Sequence, residues 1–120
     1  MTQKTGVELV QEAKKRITEI SPTAANDLLA GDKSVVVLDV REPHEFRLGH
    51  LPGALNVPRG TLEGNVEAIV QRDAQVLVYC AGGSRSALAT DTLGQMGYGQ
   101  AVSLQGGFRD WAMAGGEIEE

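Results

Sequence analysis

Cysteine is almost absent from the chain, which has one cysteine and two histidines among 120 residues. A single thiol cannot close an intramolecular disulfide, so we expect a reducing compartment, with the cytoplasm as the default location. Cys80 with His44 and His50 is also too small a set for a structural zinc site, so no metal is expected. Aromatic residues make up only 4% of the chain, which leaves Val, Leu, Ile and Ala to fill the core.

Positive charge and long apolar runs are scarce too. The 11 Lys and Arg residues are outnumbered by 16 Asp and Glu residues, which gives a formal charge of −5. This balance argues against a broad basic surface, so neither nucleic acid nor an anionic membrane is an expected partner. The longest aliphatic run, residues 35–38, is far shorter than the ~20 residues of a spanning helix, and the opening residues lack a targeting pattern. Any anion must therefore be held by a local site.

The remaining features are typical of one α/β domain. Apolar periodicity predicts helices over 5–16, 22–31, 42–48, 62–70 and 84–96, and around 108–111. Aliphatic runs between them predict strands over 17–20, 34–40, 54–57, 75–79 and 101–104. Because strands and helices alternate, we expect a mostly parallel sheet of about five strands flanked by helices on both faces. We divide the chain into an N-terminal helical extension, 1–16, and a domain, 17–120.

Polar residues and glycines follow the predicted strands at the point where each strand ends. In a parallel sheet these carboxyl ends meet at one rim, where ligands bind. We expect Arg41 and Arg59 to line this rim and to recruit an anion. Asp39 would support the nearby backbone or Arg41. Gly106 and Gly107 would let another stretch of backbone approach the site closely.

The loop that begins at Cys80 carries the strongest functional signal. Residues 80–85, CAGGSR, join a buried strand to a helix N-terminus, whose unpaired N–H groups carry a partial positive charge. Such a loop can turn its N–H groups inward as an anion-binding nest, with Gly82 and Gly83 in left-handed conformations. The nest would stabilise a thiolate, and Arg85 would hold an anionic substrate. The predicted substrate-binding set is Ala81, Gly82, Gly83, Ser84, Arg85 and Ser86, with Arg41 and Arg59. The alternative is that Cys80 is a buried structural thiol.

Three segments resemble the signatures of rhodanese-like sulfurtransferase domains. The first comprises DVREPHEF at 39–46 and GHLPGALNVP at 49–58. The second, YCAGGSRSA at 79–87, is similar to the active-site loop of the family, and the third, LQGGFRDW at 104–111, is similar to its closing signature. The resemblance covers about residues 17–115 in order, whereas residues 1–16 have no counterpart in the minimal domain.

The resemblance implies a fold and a two-step chemistry. The fold is a parallel sheet of about five strands between helices. In the chemistry, Cys80 attacks the outer sulfur of a donor such as thiosulfate and becomes a persulfide. An acceptor such as cyanide or a thiol then removes that sulfur, and no cofactor takes part. The implied partners are a small anionic sulfur donor and a sulfur-accepting protein.

Three other functions stay open. A dedicated sulfur carrier would use the same persulfide, and a non-catalytic binding module would keep the fold without the chemistry. Phosphatases and arsenate reductases of related fold place one residue more between Cys and Arg. Here four residues separate Cys80 from Arg85, and Ser86 stands where such an enzyme would place Arg. The shorter loop therefore favours sulfur transfer.

Overall fold

A sheet of five parallel strands runs through the centre of the computed structural model, which describes residues 3–120. The strands are β1 (Glu19–Ile20), β2 (Val36–Asp39), β3 (Leu55–Asn56), β4 (Val76–Tyr79) and β5 (Ala101–Leu104). Their order across the sheet is β1-β5-β4-β2-β3, and each neighbouring pair is parallel. The predicted sheet is confirmed. Because β4 lies at its centre, the loop after β4 opens at the middle of the carboxyl rim.

Helices connect the strands and cover both faces of the sheet. They are α1 (Gly6–Arg16), α2 (Pro22–Gly31), α3 (Pro43–Leu48), α4 (Leu62–Asn65), α5 (Ser84–Gln95) and α6 (Gly107–Met113), with 3-10 segments at Arg59–Thr61 and Val66–Ala68. Of the helices in the described part of the chain, none is long and apolar enough to cross a membrane.

Alternate strand residues pack into two separate hydrophobic clusters, as the two-residue period of a strand requires. Leu38 and Val78 lie in the cluster on one face, together with Leu93 of α5. Val37 and Leu77 lie in the cluster on the other face, and the residues that cover them include Ala25 of α2 and Trp111 of α6. Strands buried on both faces explain why β2 and β4 are aliphatic runs rather than alternating ones.

The prediction of one continuous helix over 62–70 is wrong. The segment contains α4 followed by a 3-10 segment, Val66–Ala68. Its apolar residues are buried as the pattern requires: Leu62 and Val66 are fully buried, and Val70 is 3% exposed. Gly64 and Asn65, however, are poor helix formers in the middle of the segment. The apolar spacing therefore identified the buried face but not the backbone conformation.

The predicted N-terminal helix is present as α1 and packs against α5. A capping box fixes its start, because the Thr5 side chain accepts from the Glu8 N–H while the Glu8 carboxylate accepts from the Thr5 N–H. Ala13 is fully buried, and Arg16 makes two hydrogen bonds to Asp91 of α5, of 3.0 and 2.8 Å. Residues 1 and 2 of the proposed extension lie outside the described residues. The division at residue 17 stays a prediction.

Candidate active site

The carboxyl rim of the sheet presents the Cys80 loop at its centre. Tyr79 ends β4, Cys80 follows it directly, and α5 begins at Ser84. Gly82 and Ser84 are exposed, whereas Gly83 and Ser86 are buried. The loop therefore has one side towards solvent and one side towards the end of β4.

The sulfur of Cys80 faces backbone N–H groups. Its Sγ accepts hydrogen bonds from the N–H of Gly83 at 3.1 Å and from the N–H of Ser86 at 3.3 Å. The Cys80 thiol also lies 3.5 Å from the Ser86 hydroxyl, to which it donates. Cys80 is only 1% exposed, and it also belongs to the hydrophobic cluster that contains Leu38 and Val78. This arrangement is an anion nest centred on sulfur rather than a thiol enclosed by aliphatic groups alone.

Gly83 is the loop residue whose conformation requires glycine. It has φ of +108°, a left-handed conformation that other residues rarely adopt, and it turns its own N–H towards the sulfur. The positive-φ glycines do not include Gly82, so the predicted left-handed conformation there is wrong. A Cβ built on Gly82 would instead meet the Arg109 guanidinium, at 3.9 and 4.0 Å from its two terminal nitrogens.

The start of α6 supports the Cys80 loop from behind. The N–H of Phe108 donates to the Cys80 carbonyl at 2.8 Å, and the N–H of Arg109 donates to the Ala81 carbonyl at 3.1 Å. Because these carbonyls point to α6, the loop N–H groups are free to point at the sulfur. A Cβ on Gly107 would lie 2.5 Å from the Cys80 carbonyl oxygen. Gly106 has φ of +74°, and a Cβ there would collide with the Asp110 carboxylate. Gly107 thus lies against the backbone of the Cys80 loop, whereas the atoms that exclude a Cβ at Gly106 belong to the Asp110 side chain. The supporting role of the two glycines stays a prediction.

Arg85 is held by a carboxylate on α3. Its Nη1 and Nη2 donate to the two oxygens of Glu45 at 2.8 and 3.1 Å, and the Glu42 N–H donates to Glu45 at 2.9 Å. The hydrogen bonds from Arg85, with that from the Glu42 backbone, lower the pKa of Glu45 to about 2. Arg85 thus reaches the site as one half of an ion pair, and its predicted role in holding an anionic substrate stays a prediction.

Arg41 does not line the rim, contrary to the prediction. It is 4% exposed, and its guanidinium donates to the Asp39 carboxylate and, at 2.7 Å, to the Gly49 carbonyl. The ring of Phe108 lies 4.5 Å from its central carbon. Asp39 also accepts hydrogen bonds from the Arg41 N–H and from the Tyr79 hydroxyl. Burial of the Tyr79 hydroxyl raises its pKa, and the hydrogen bond to the Asp39 carboxylate raises it further. A buried carboxylate requires a buried cation, which explains why Arg41 turns inward.

Arg59 is also away from the Cys80 loop. Its Nη1 contacts the Glu63 carboxylate at 3.2 Å, and its Nη2 donates to the Thr92 hydroxyl at 3.2 Å. Thr92 lies eight residues beyond Ser84 on α5, which is about 12 Å along a helix. Arg59 therefore joins the 59–65 segment to α5, and the structure does not bring it to the sulfur.

Three residues near the loop are not indicated by the sequence pattern. Ser103 of β5 is fully buried, and its hydroxyl lies 2.9 Å from that of Ser86. A serine inside an aliphatic strand was the available signal. Glu45 and Arg109 lie within the family-like segments 39–46 and 104–111, but only the packing shows that they approach the loop. Among residues 3–120, no group of three or more His, Cys, Asp and Glu side chains could hold a metal ion.

Comparison with known proteins gives concordant matches. The Rhodanese-like domain family matches residues 21–114. A sulfurtransferase of Allochromatium vinosum is 34% identical over 99 residues, which are 82% of this chain and 92% of that protein. YrkF of Bacillus subtilis, named as a candidate sulfur carrier protein, is 32% identical over 88% of this chain, and the chain spans 57% of the length of YrkF.

A solved structure from Rhodopseudomonas palustris extends the match to the N-terminal helix. It has a TM-score of 0.89 and 33% identity, and it covers 99% of this chain and 97% of that one. That protein is described as one of unknown function and a possible tyrosine phosphatase. Because the coverage is nearly complete, the region of α1 lies within the matched part of both chains.

Proposed function

Because the chain belongs to the rhodanese-like domain family, we propose that it is a sulfurtransferase that carries sulfur as a persulfide on Cys80. The observation that supports this most directly is the pair of N–H groups, from Gly83 and Ser86, that point at Sγ. Inward N–H groups stabilise a sulfur anion, whether it is the thiolate or the persulfide.

The proposed first step forms the persulfide. The Cys80 thiolate attacks the outer sulfur of thiosulfate, the S–S bond of thiosulfate breaks, and sulfite leaves with the electron pair. One thiolate and one thiosulfate thus give one persulfide anion and one sulfite, with charge conserved and no proton transferred. The step is nucleophilic covalent catalysis, so it needs neither a metal nor a general base.

The proposed second step returns the thiolate. Cyanide or a thiolate attacks the outer sulfur of the persulfide and leaves as thiocyanate or as a new persulfide, and Cys80 departs with the electron pair. This chain has one cysteine, so it contains no second thiol that could resolve the persulfide internally. The acceptor must therefore lie outside these 120 residues: a small thiol, cyanide or a protein thiol. The free thiol suits a reducing compartment such as the cytoplasm.

Intact-protein mass spectrometry tests the proposal. After incubation with thiosulfate, the protein should gain the mass of one sulfur atom, and cyanide should remove it. The Cys80→Ser variant should gain nothing, and Lys33→Gln, an exposed change before the amino end of β2, should behave like the wild type. Transfer from a protein persulfide but not from thiosulfate would indicate a dedicated carrier. No adduct with any sulfane donor would favour a binding module.

Phosphatase activity is the second candidate, because the Rhodopseudomonas palustris protein is described in those terms. Four residues separate Cys80 from Arg85, and Arg85 pairs with Glu45, so the loop offers a narrow site with a cation already engaged. These features favour sulfur transfer over hydrolysis of a phosphate ester. Hydrolysis of an aryl phosphate that disappears in Cys80→Ser would reverse this preference.

A further inference from the structure

Arg109 places a solvent-exposed cation against the Cys80 loop. Its backbone N–H donates to the Ala81 carbonyl at 3.1 Å, which fixes the start of the side chain beside the loop. Both terminal nitrogens lie about 4 Å from the position of a Cβ on Gly82. The Arg109 side chain is nonetheless 69% exposed. The guanidinium therefore lies over the outward side of the exposed loop residue Gly82.

The other arginines expected at the rim are engaged elsewhere. Arg41 is buried against Asp39, Arg59 bonds to Glu63 and Thr92, and both terminal nitrogens of Arg85 go to Glu45. Arg109 has one ion pair within the described residues, from Nε to Asp110 at 3.5 Å, in which both side chains are well exposed. Such a pair is weak, and the guanidinium makes it through Nε rather than through its two terminal nitrogens.

We propose that Arg109 recruits sulfur donors that carry an oxyanion group, sulfonate or carboxylate, to Cys80. A guanidinium fork matches the geometry of such a group. In a chain with a formal charge of −5, an anionic donor needs a local attraction before it can reach the sulfur. Arg109 contacts the oxyanion end of the donor, while Cys80 attacks the sulfane sulfur as described above. This inference rests on the proposed function but can be tested separately.

Alkylation of Cys80 by two reagents isolates the role of the charge. Iodoacetate is an anion and iodoacetamide is neutral, and both attack the same thiolate. The iodoacetamide rate reports thiolate content and access, so the ratio of the two rates reports recruitment of the anion. We expect Arg109→Gln to lower this ratio about fivefold, which is what one unit charge at about 4 Å supplies in water. Arg109→Lys should retain most of the ratio.

Matched variants identify the source of any effect. Lys33→Gln removes one positive charge near the amino end of β2, at the end of the strands opposite the Cys80 loop, and should leave the ratio unchanged. Salt should lower the wild-type ratio more than that of Arg109→Gln. With thiosulfate, Arg109→Gln should lower kcat/KM for persulfide formation by a similar factor, mainly through KM. A persulfide donor that bears a carboxylate tests the other oxyanion group named in the proposal, and Arg109→Gln should lower its kcat/KM in the same way.

The outcomes separate this inference from the proposed function. An unchanged ratio in Arg109→Gln overturns the role of Arg109 even if thiosulfate sulfurates Cys80. A ratio that falls in Arg85→Gln but not in Arg109→Gln assigns recruitment to Arg85 and overturns it too. A lower ratio in Arg109→Gln without any persulfide supports anion recruitment and contradicts sulfur transfer. If neither reagent alkylates native Cys80, both proposals fail, because the sulfur is then unreachable.

Discussion

Arg85 donates hydrogen bonds from both of its terminal nitrogens to the carboxylate of Glu45, at 2.8 and 3.1 Å. The same carboxylate accepts from the Glu42 N–H and so closes the capping box of α3. None of the residues of α3 is buried, so packing alone attaches this helix weakly. The Glu45 side chain therefore performs two tasks: it caps α3, and it ties that helix to the loop that carries Cys80.

Glu45→Gln should lower stability by about 1 kcal/mol at neutral pH, the order expected of a partly exposed ion pair. The pKa of Glu45 is lowered to about 2 in the folded protein, from 4.5. Its contribution is therefore fully present above pH 4.5 and is lost as the pH falls through about 2. Urea unfolding of both proteins at several pH values should give free energies that converge in this window. A difference that stays constant down to pH 2 would exclude the assigned role of the carboxylate.

Gly107→Ala should damage both the fold and the site. A Cβ there would lie 2.5 Å from the Cys80 carbonyl oxygen and 2.7 Å from the Ala81 carbonyl, at φ of +60°. Backbone atoms cannot yield as a flexible side chain can, so we expect a loss of about 2–4 kcal/mol in the free energy of unfolding. Sulfuration of Cys80 by thiosulfate should slow at the same time, because the loop must move.

Gly94→Ala is the matched control for this glycine. Gly94 lies on α5 with open space around its Cβ position, so alanine should raise the free energy of unfolding by about 0.5–1 kcal/mol. Sulfuration should be unaffected. If Gly107→Ala unfolds like the wild type, the close approach of α6 to the Cys80 loop does not exist.

Much of the fold could be predicted because burial imposes a period on the sequence. β2 and β4 are aliphatic on both faces, and α1, α2 and α5 have apolar stripes. The 62–70 segment has the same stripe, but Gly64 weakens the helix, and apolar spacing alone could not distinguish a helix from a mixture of short turns. Cys80 and its loop could also be located, because the residues that form the loop are contiguous in the sequence.

Side-chain pairing at the site could not be predicted in this way. Glu45 and Arg85 are 40 residues apart, and only the docking of α3 brings them together. An arginine after a strand is equally compatible with the rim, as expected for Arg41, and with a buried carboxylate, as found. Which partner it takes depends on the cost of leaving Asp39 buried alone, a cost that the three-dimensional packing sets.

Ser103→Ala should affect the site through Ser86. The two hydroxyls lie 2.9 Å apart, and Ser86 contacts the Cys80 sulfur through both its N–H and its hydroxyl. Removing Ser103 takes one hydrogen bond from a buried hydroxyl, so the free energy of unfolding should fall by about 1–2 kcal/mol. Without this partner the Ser86 hydroxyl is less constrained, so thiosulfate should sulfurate Cys80 more slowly.

Thr90→Val should stabilise the protein, in contrast to Ser103→Ala. Thr90 lies four residues after Ser86 on α5, on the same face of the helix. The Thr90 hydroxyl is buried and has no hydrogen-bond partner within residues 3–120. A methyl group in its place removes an unsatisfied oxygen, so stability should rise by about 1 kcal/mol with an unchanged sulfuration rate. If Ser103→Ala has a higher melting temperature than Thr90→Val, the buried Ser86–Ser103 pair does not have the role assigned to it.

Deletion of residues 1–16 tests the proposed division of the chain. The contacts around Cys80 come from α3, α6 and the start of α5, so the shortened protein should still form the persulfide. Its α5 would lose the cover of Ala13 and the pair between Arg16 and Asp91. The melting temperature should therefore fall, by about 5 °C or more.

Two substitutions within α1 test whether the packing of this helix against α5 stabilises the protein. Ala13→Glu places a charge at a fully buried position and should reproduce the lower melting temperature of the deletion. Val7→Glu adds the same charge at a position that is 66% exposed and should change little. If the shortened protein fails to fold, residue 17 is not a domain boundary. α1 would then be an integral layer of the domain, since the face of α5 that it covers could not be left in water.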